Sequence, residues 1–159
     1  MAATANKLVG IEEAVAWRRT LTGKLVFTNG VFDLLHPGHV EYLEAAGALG
    51  GHLLVGVNSD RSSRQLVKGV GRPIADQWAR ARVVAGLAAV DRVVLFDAPT
   101  PEALIEALRP DLLVKGGDYA PESVAGGNAV AATGGSVVIL PLTRGYSTSA
   151  LVERCRAAT

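Results

Sequence analysis

Two of the three histidines stand three positions apart, in His36-Pro37-Gly38-His39. The tetrapeptide follows a short apolar run, Leu25 to Phe27, and a pair, Asn29-Gly30, that reads as a turn; it opens a helical pattern that continues from Val40 to Leu49. Proline suits a first helical turn, and glycine leaves room for a ligand against the backbone. Free N–H groups, the positive end of the helix dipole and two imidazoles together favour an anion there. Phosphate binding is the chemistry that follows, although a histidine ahead of a Pro-Gly pair also serves as a plain helix cap.

Other residues fit the same ligand. Arg61 to Arg72 gathers Arg61, Arg64, Lys68 and Arg72 with Gly69 and Gly71 and reads as a mobile basic loop. By charge alone it is a solvated surface loop; beside a phosphate it would deliver Lys68. Ser147 or Thr148 is a normal N-cap for the terminal helix, and the same N–H groups with the hydroxyls would make a second phosphate grip. Lys115-Gly116-Gly117-Asp118-Tyr119 follows a strand, so its paired glycines suit a tight turn or a backbone lying against a flat ligand. Asn58-Ser59-Asp60 falls at the carboxyl end of another strand, the edge where open α/β sheets bind ligands. His52 reads as a strand-edge residue and Cys155 as a spare thiol on the terminal helix. No Ser-His-Asp set or carboxylate pair is visible, which fits a reaction that needs no general base, and no Gly-x-Gly-x-x-Gly follows the first strand, which leaves a redox role poorly supported.

The elements that must position these groups alternate. A helix at Ile11 to Thr20 precedes strands at Leu25 to Phe27, His52 to Asn58, Arg92 to Phe96, Asp111 to Val114 and Ser136 to Leu140. Helices fall between them: Val40 to Leu49, Asp76 to Ala89 with Asp76 as cap, one opened by Thr100-Pro101-Glu102, and a weaker one from Glu122 to Thr133 broken by Gly126-Gly127. This order predicts an α/β fold with one doubly wound, parallel, five-stranded sheet, right-handed crossovers and a site at the carboxyl edge. The first helix, in an extension over residues 1–22, is a packing or dimer element.

A length of 159 residues suits a single domain spanning 1–159 with its own core. Composition is 49% hydrophobic but only 5% aromatic, which predicts a Val, Leu, Ile and Ala core as in sheets covered on both faces. A net charge of +1 argues against a general nucleic-acid or membrane surface. One cysteine excludes an internal disulfide and suits a reducing cytoplasm. No signal peptide is visible, and the longest apolar run, near Val83 to Val90, falls well short of the ~20 residues of a membrane span.

Gly30-x-Phe32-Asp33-x-x-His36-x-Gly38-His39, directly after the first strand, resembles the nucleotide-binding signature of the cytidylyltransferase-like nucleotidyltransferases. Nearly the whole chain is similar to their heptose 1-phosphate adenylyltransferase branch, through Phe27-Thr28-Asn29-Gly30-Val31-Phe32-Asp33, Val57-Asn58-Ser59-Asp60, Arg72-Pro73-Ile74, Leu113 to Tyr119 and Ser147-Thr148. The resemblance implies a Rossmann-like fold and transfer of AMP from ATP to a heptose 1-phosphate, with Mg²⁺ carried mainly by the nucleotide and no metal ligand from the chain. It assigns catalysis to His36, His39 and Lys68. Nucleotide binding falls on Asn29, Gly30, Phe32, Gly38, His39, Arg80, Lys115, Gly117, Asp118, Tyr119, Ser147 and Thr148, and acceptor binding on Asp33, Asn58, Asp60 and Arg72. It also implies a homodimer and a separate sugar kinase upstream. Ala75, Tyr146 and Ser149 depart from the branch's usual Asn, smaller residue and Thr. The rivals are a cytidylyltransferase acting on glycerol 3-phosphate or phosphoethanolamine, a flavin-nucleotide adenylyltransferase, and an inactive nucleotide-binding regulatory module.

Overall fold

The structure is a computed structural model that describes residues 4–66, 71–117 and 120–158. Lys68, Asp118 and Tyr119 lie outside the described residues.

Five strands, β1 (Lys24–Gly30), β2 (Gly51–Asn58), β3 (Arg92–Phe96), β4 (Leu112–Gly116) and β5 (Ser136–Leu140), form one parallel sheet in the order β3-β2-β1-β4-β5. The chain winds outward from β1 to β3, then crosses back to add β4 and β5 on the other side. The strand order therefore reverses between β1 and β4, and a crevice opens at their carboxyl ends. Alternation along the strands divides the core: Leu25, Phe27, Leu54, Val94 and Leu113 face one layer, while Val26, Leu53, Val55, Val93 and Val114 face the other. The first layer is closed by α1 (Ile11–Thr20), α5 (Glu102–Leu108) and α6 (Gly127–Ala132), and the second by α2 (Pro37–Gly47) and α4 (Gln77–Ala85). A sheet buried on both faces needs apolar residues at successive positions, which explains the unbroken runs Leu25-Val26-Phe27 and Leu53-Leu54-Val55.

Local signals place most boundaries. Asp76 caps α4 by accepting from the Trp78 and Ala79 N–H groups at 2.8 and 2.9 Å. Ser147 caps α7 (Thr148–Ala157) by accepting from Ala150 N–H at 3.1 Å. The segment from Glu122 onward is a 3₁₀ turn at Pro121–Ser123 followed by α6, with Gly126 at φ +87° between them.

Two local expectations are corrected. Asn29-Gly30 is not a turn: both residues continue β1 and pair in register with Gly56 and Val57. The segment from Arg61 does not begin as a loop, because Asp60–Leu66 forms α3. Ser59 Oγ accepts from Ser62 N–H at 3.1 Å, and Ser62 and Ser63 are buried, so capping and burial outweigh the polar composition. The N-terminal segment is a packing element: Val9 donates its N–H to Val93 O at 3.0 Å, Ala14 is fully buried, and Arg18 bonds Asp111 at 2.9 Å. Among the described residues, no helix is long and apolar enough to cross a membrane.

Candidate active site

A cleft of about 600 Å³ opens at the reversal of strand order, between the ends of β1 and β4. Its lining brings together Asn29, Gly30 and Phe32 from the β1 end, His36, Gly38 and His39 from the start of α2, Lys115 from β4, and Ser147 and Thr148 from the start of α7. Nine of the expected site residues thus share one cavity, although Asn29 and Thr148 are far apart in sequence.

The histidines are held as a stack. His36 is the N-cap residue of α2, Pro37 occupies the first turn, and the His36 and His39 rings lie 3.8 Å apart at 24°. Phe32 packs on His39 with centroids 5.6 Å apart. Phe32 reaches that position in the left-handed region, φ +51°, a conformation that costs free energy outside glycine and must be held by its surroundings. Gly30 makes room beneath it, since a Cβ there would come within 3.1 Å of the Phe32 ring. Burial pushes His39 down to about 4, with the charge of His36 as the lesser cause, and burial also lowers His36. Both rings are therefore neutral at pH 7, each with one N–H. The Nδ1 atoms of both are buried without a partner among the described residues. A lone pair is tolerated there better than an unpaired N–H, which favours the Nε2–H tautomer of His39, whereas a hydrogen bond from the His36 ring to its own backbone offsets part of the effect of burial on that ring.

Lys115 donates to Asn29 Oδ1 across the sheet switch point. Burial lowers it from its ordinary value to about 8, so it is charged at pH 7 and sensitive to mild alkali. Below it, Tyr42 Oη sits 2.7 Å from Thr28 Oγ1 and donates to Val114 O at 3.1 Å; burial raises it to about 12 and keeps it neutral. This tie between α2, β1 and β4 carried no motif in the sequence. Nor did Leu142, Thr143, Val124 and Ala125, which complete the cleft wall. Their only signal was position, after the carboxyl ends of β4 and β5.

The residues expected at the acceptor form a hub beside the cleft rather than part of its lining. Asp33 accepts from Arg72 Nε at 2.6 Å and from the Ile74 and Ala75 N–H groups at 2.7 and 3.0 Å. Arg80, expected at the phosphates, is 1% exposed; it donates to Asp60 Oδ1 at 2.8 Å, Val31 O at 2.5 Å and Ala75 O at 3.0 Å. Asn58 is buried and donates to Ser62 Oγ at 3.2 Å. The polar groups of this hub are thus turned to the protein itself, and Arg80 holds the carbonyl just before the strained Phe32. Gly117, at φ +129°, donates to Leu140 O at 3.0 Å and joins β4 to the end of β5. His52 lies away from the cleft, edge-on to Trp17 at 5.8 Å.

Residues 27–154 match the cytidylyltransferase-like family. The chain is 53% identical over 144 residues to the bifunctional protein HldE of Koribacter versatilis, covering 91% of this chain and 29% of that protein. It is 54% identical over 149 residues to the bifunctional protein HldE of Pseudomonas aeruginosa, covering 94% and 30%. The chain therefore spans about 30% of the length of these relatives. Among solved structures, the lipopolysaccharide core biosynthesis protein of Thermoplasma volcanium superposes with a TM-score of 0.64 at 28% identity, over 79% of this chain and 99% of that one. Pantothenate synthetase of Thermus thermophilus, at 16% identity and a TM-score of 0.58 over 87% of this chain and 62% of that one, shares the fold. With the match covering the histidine turn, the strand-order switch and the α7 start, the chain belongs to the cytidylyltransferase-like family of nucleotidyltransferases.

Proposed function

We propose that the chain transfers AMP from ATP to D-glycero-D-manno-heptose 1-phosphate, releasing pyrophosphate and forming ADP-heptose for surface polysaccharide. The observation that carries this reading is the single cleft in which two neutral imidazoles, a buried lysine and two helix starts face the same space. That donor set suits a triphosphate. The relatives at 53–54% identity and the lipopolysaccharide-related structure support the sugar assignment.

The acceptor phosphate is mostly dianionic at neutral pH, with a second pKa of about 6, so its oxygen attacks without a general base. A bond forms from that oxygen to the α-phosphorus of ATP, and the bond from the α-phosphorus to the oxygen bridging to the β-phosphorus breaks. Pyrophosphate leaves with the electron pair, and no proton need move. The protein's task is alignment and neutralisation of charge on the phosphoryl oxygens. The ring N–H groups of His36 and His39, Lys115, and the N-termini of α2 and α7 would do this, with Lys68 as a further cation for the phosphates. Mg²⁺ takes oxygen ligands. The phosphate oxygens of the nucleotide would supply them, so that the ion would travel mainly on ATP.

The test is pyrophosphate release with Mg²⁺, crossing ATP, CTP, GTP and UTP with both anomers of heptose 1-phosphate, glycerol 3-phosphate and flavin mononucleotide. Selective turnover of ATP with one heptose 1-phosphate is expected. Preference for CTP with glycerol 3-phosphate would overturn the substrate assignment; ATP binding without release on any acceptor would favour a regulatory module.

Lys115 adds a pH signature. It carries its charge below about 8 and loses it above, while a bound polyphosphate raises its pKa, so ATP binding weakens as pH rises from about 8 towards 10. Calorimetry across that range should show this limb in the unsubstituted protein and not in Lys115→Met. The same slope in both would remove Lys115 from the phosphate site.

A further inference from the structure

The N-terminus of α7 is placed by little of its own packing. None of its residues is buried, and Thr148, Ala150, Leu151 and Val152 are only half-buried. A helix start that must share a ligand with α2 therefore needs another anchor, and the residue just before its cap supplies one. The Tyr146 ring lies almost parallel to His36, with centroids 6.1 Å apart at 18°. It extends the His36–His39 stack to three near-parallel rings, against which Phe32 packs at 57°, so that the cluster draws on the β1 end, the α2 start and the approach to α7. Gly38 provides the seat: a Cβ there would lie 3.4 Å from Tyr146 Cβ and 3.2 Å from His36 Nδ1. Gly145, at φ +88°, makes the turn that sends Tyr146 back onto the histidine. Thr143 Oγ1, bonded to Glu41 Oε2 at 2.5 Å, ties the same segment to α2 at the exposed rim.

We propose that Tyr146 is a positioning residue whose stack on His36 sets the spacing between the α2 and α7 N-termini, so that one polyphosphate is gripped by both. The inference rests on the triphosphate reading of the cleft. Tyr146 is 48% exposed, so its ring contributes little to the core and its loss acts on the site rather than on folding. The stack needs a ring and not a hydroxyl. A stacked pair of this kind is worth up to about tenfold in an equilibrium. The grip matters only to a ligand long enough to reach both helix starts.

The full chain is titrated calorimetrically with ATP, tripolyphosphate and AMP, as the unsubstituted protein and as Tyr146→Ala and Tyr146→Phe, with near-ultraviolet circular dichroism to check the fold. Expected for Tyr146→Ala is binding of ATP and tripolyphosphate weaker by about tenfold, AMP binding within about twofold of the starting value, and full recovery in Tyr146→Phe. Unchanged tripolyphosphate binding in Tyr146→Ala would overturn the proposal. So would equal weakening of AMP and tripolyphosphate, or a Phe variant as weak as Ala. If the unsubstituted protein binds neither ATP nor tripolyphosphate, the triphosphate reading of the cleft fails, and the proposal with it.

Discussion

Replacing His39 with alanine is expected to lower turnover by ~10²–10³, by analogy with the loss of one hydrogen-bond donor to a developing oxyanion. The histidine is well placed for this. It stacks on His36 and packs against the tilted ring of Phe32, contacts that fix its plane, and an Nδ1 buried without a partner among the described residues favours the N–H on Nε2. Because burial holds it near 4, it acts at pH 7 as a neutral donor, not as a cation. Two consequences separate that role from simple charge attraction. kcat/KM should show no acid limb from His39 between about pH 5 and 7, because its protonation state in the free protein does not change there. His39→Asn, which keeps an N–H donor, should retain more activity than His39→Ala. Stopped pyrophosphate assays over that range decide the matter; an alanine variant keeping more than a tenth of its turnover would sink the role.

Arg80→Ala should be the most destabilising single substitution at the site's edge, costing about 3–5 kcal/mol, the range seen when one partner of a buried pair is removed. Its side chain is fully buried and it satisfies three acceptors at once: Asp60, Val31 O and Ala75 O. Alanine would leave two carbonyls without these donors and a carboxylate without its cation, as well as a cavity. Urea unfolding should show the midpoint falling with an unchanged slope. Arg61→Ala is the contrast. That arginine also pairs with an aspartate, Asp97, but both side chains are largely exposed, at 74% and 49%, and water screens the pair. Its loss should leave the urea midpoint almost unmoved. Equal losses for the two variants would mean that Arg80 does not hold the turn before Phe32.

Arg80 also shows where reasoning from residue types stops. A helical arginine near a phosphate motif reads as an anion ligand, and family resemblance assigned it so. In the folded chain Asp33, Arg72, Asp60 and Arg80 find one another instead, and the loop from Ile74 to Ala75 is threaded onto Asp33 through two backbone N–H groups. No spacing in the sequence signals that pairing, because it joins the β1 end, α3 and the approach to α4 across the carboxyl edge.

What the sequence by itself determined is what is decided within one turn of helix or one strand. The Asp76 and Ser147 caps, the proline at the start of α2 and the apolar runs of β1 and β2 follow from contacts between residues a few positions apart. They were enough for the alternation, and so for a parallel doubly wound sheet with the histidine turn at its carboxyl edge. Only the tertiary structure decided that Tyr42 joins Thr28 to Val114, that Leu142 and Val124 wall the cleft, that Asp60 begins a helix, and that Tyr146 lies on His36. Each of these depends on the order β3-β2-β1-β4-β5, which sets which loop ends are neighbours, and side-chain type and local spacing carry no record of that order.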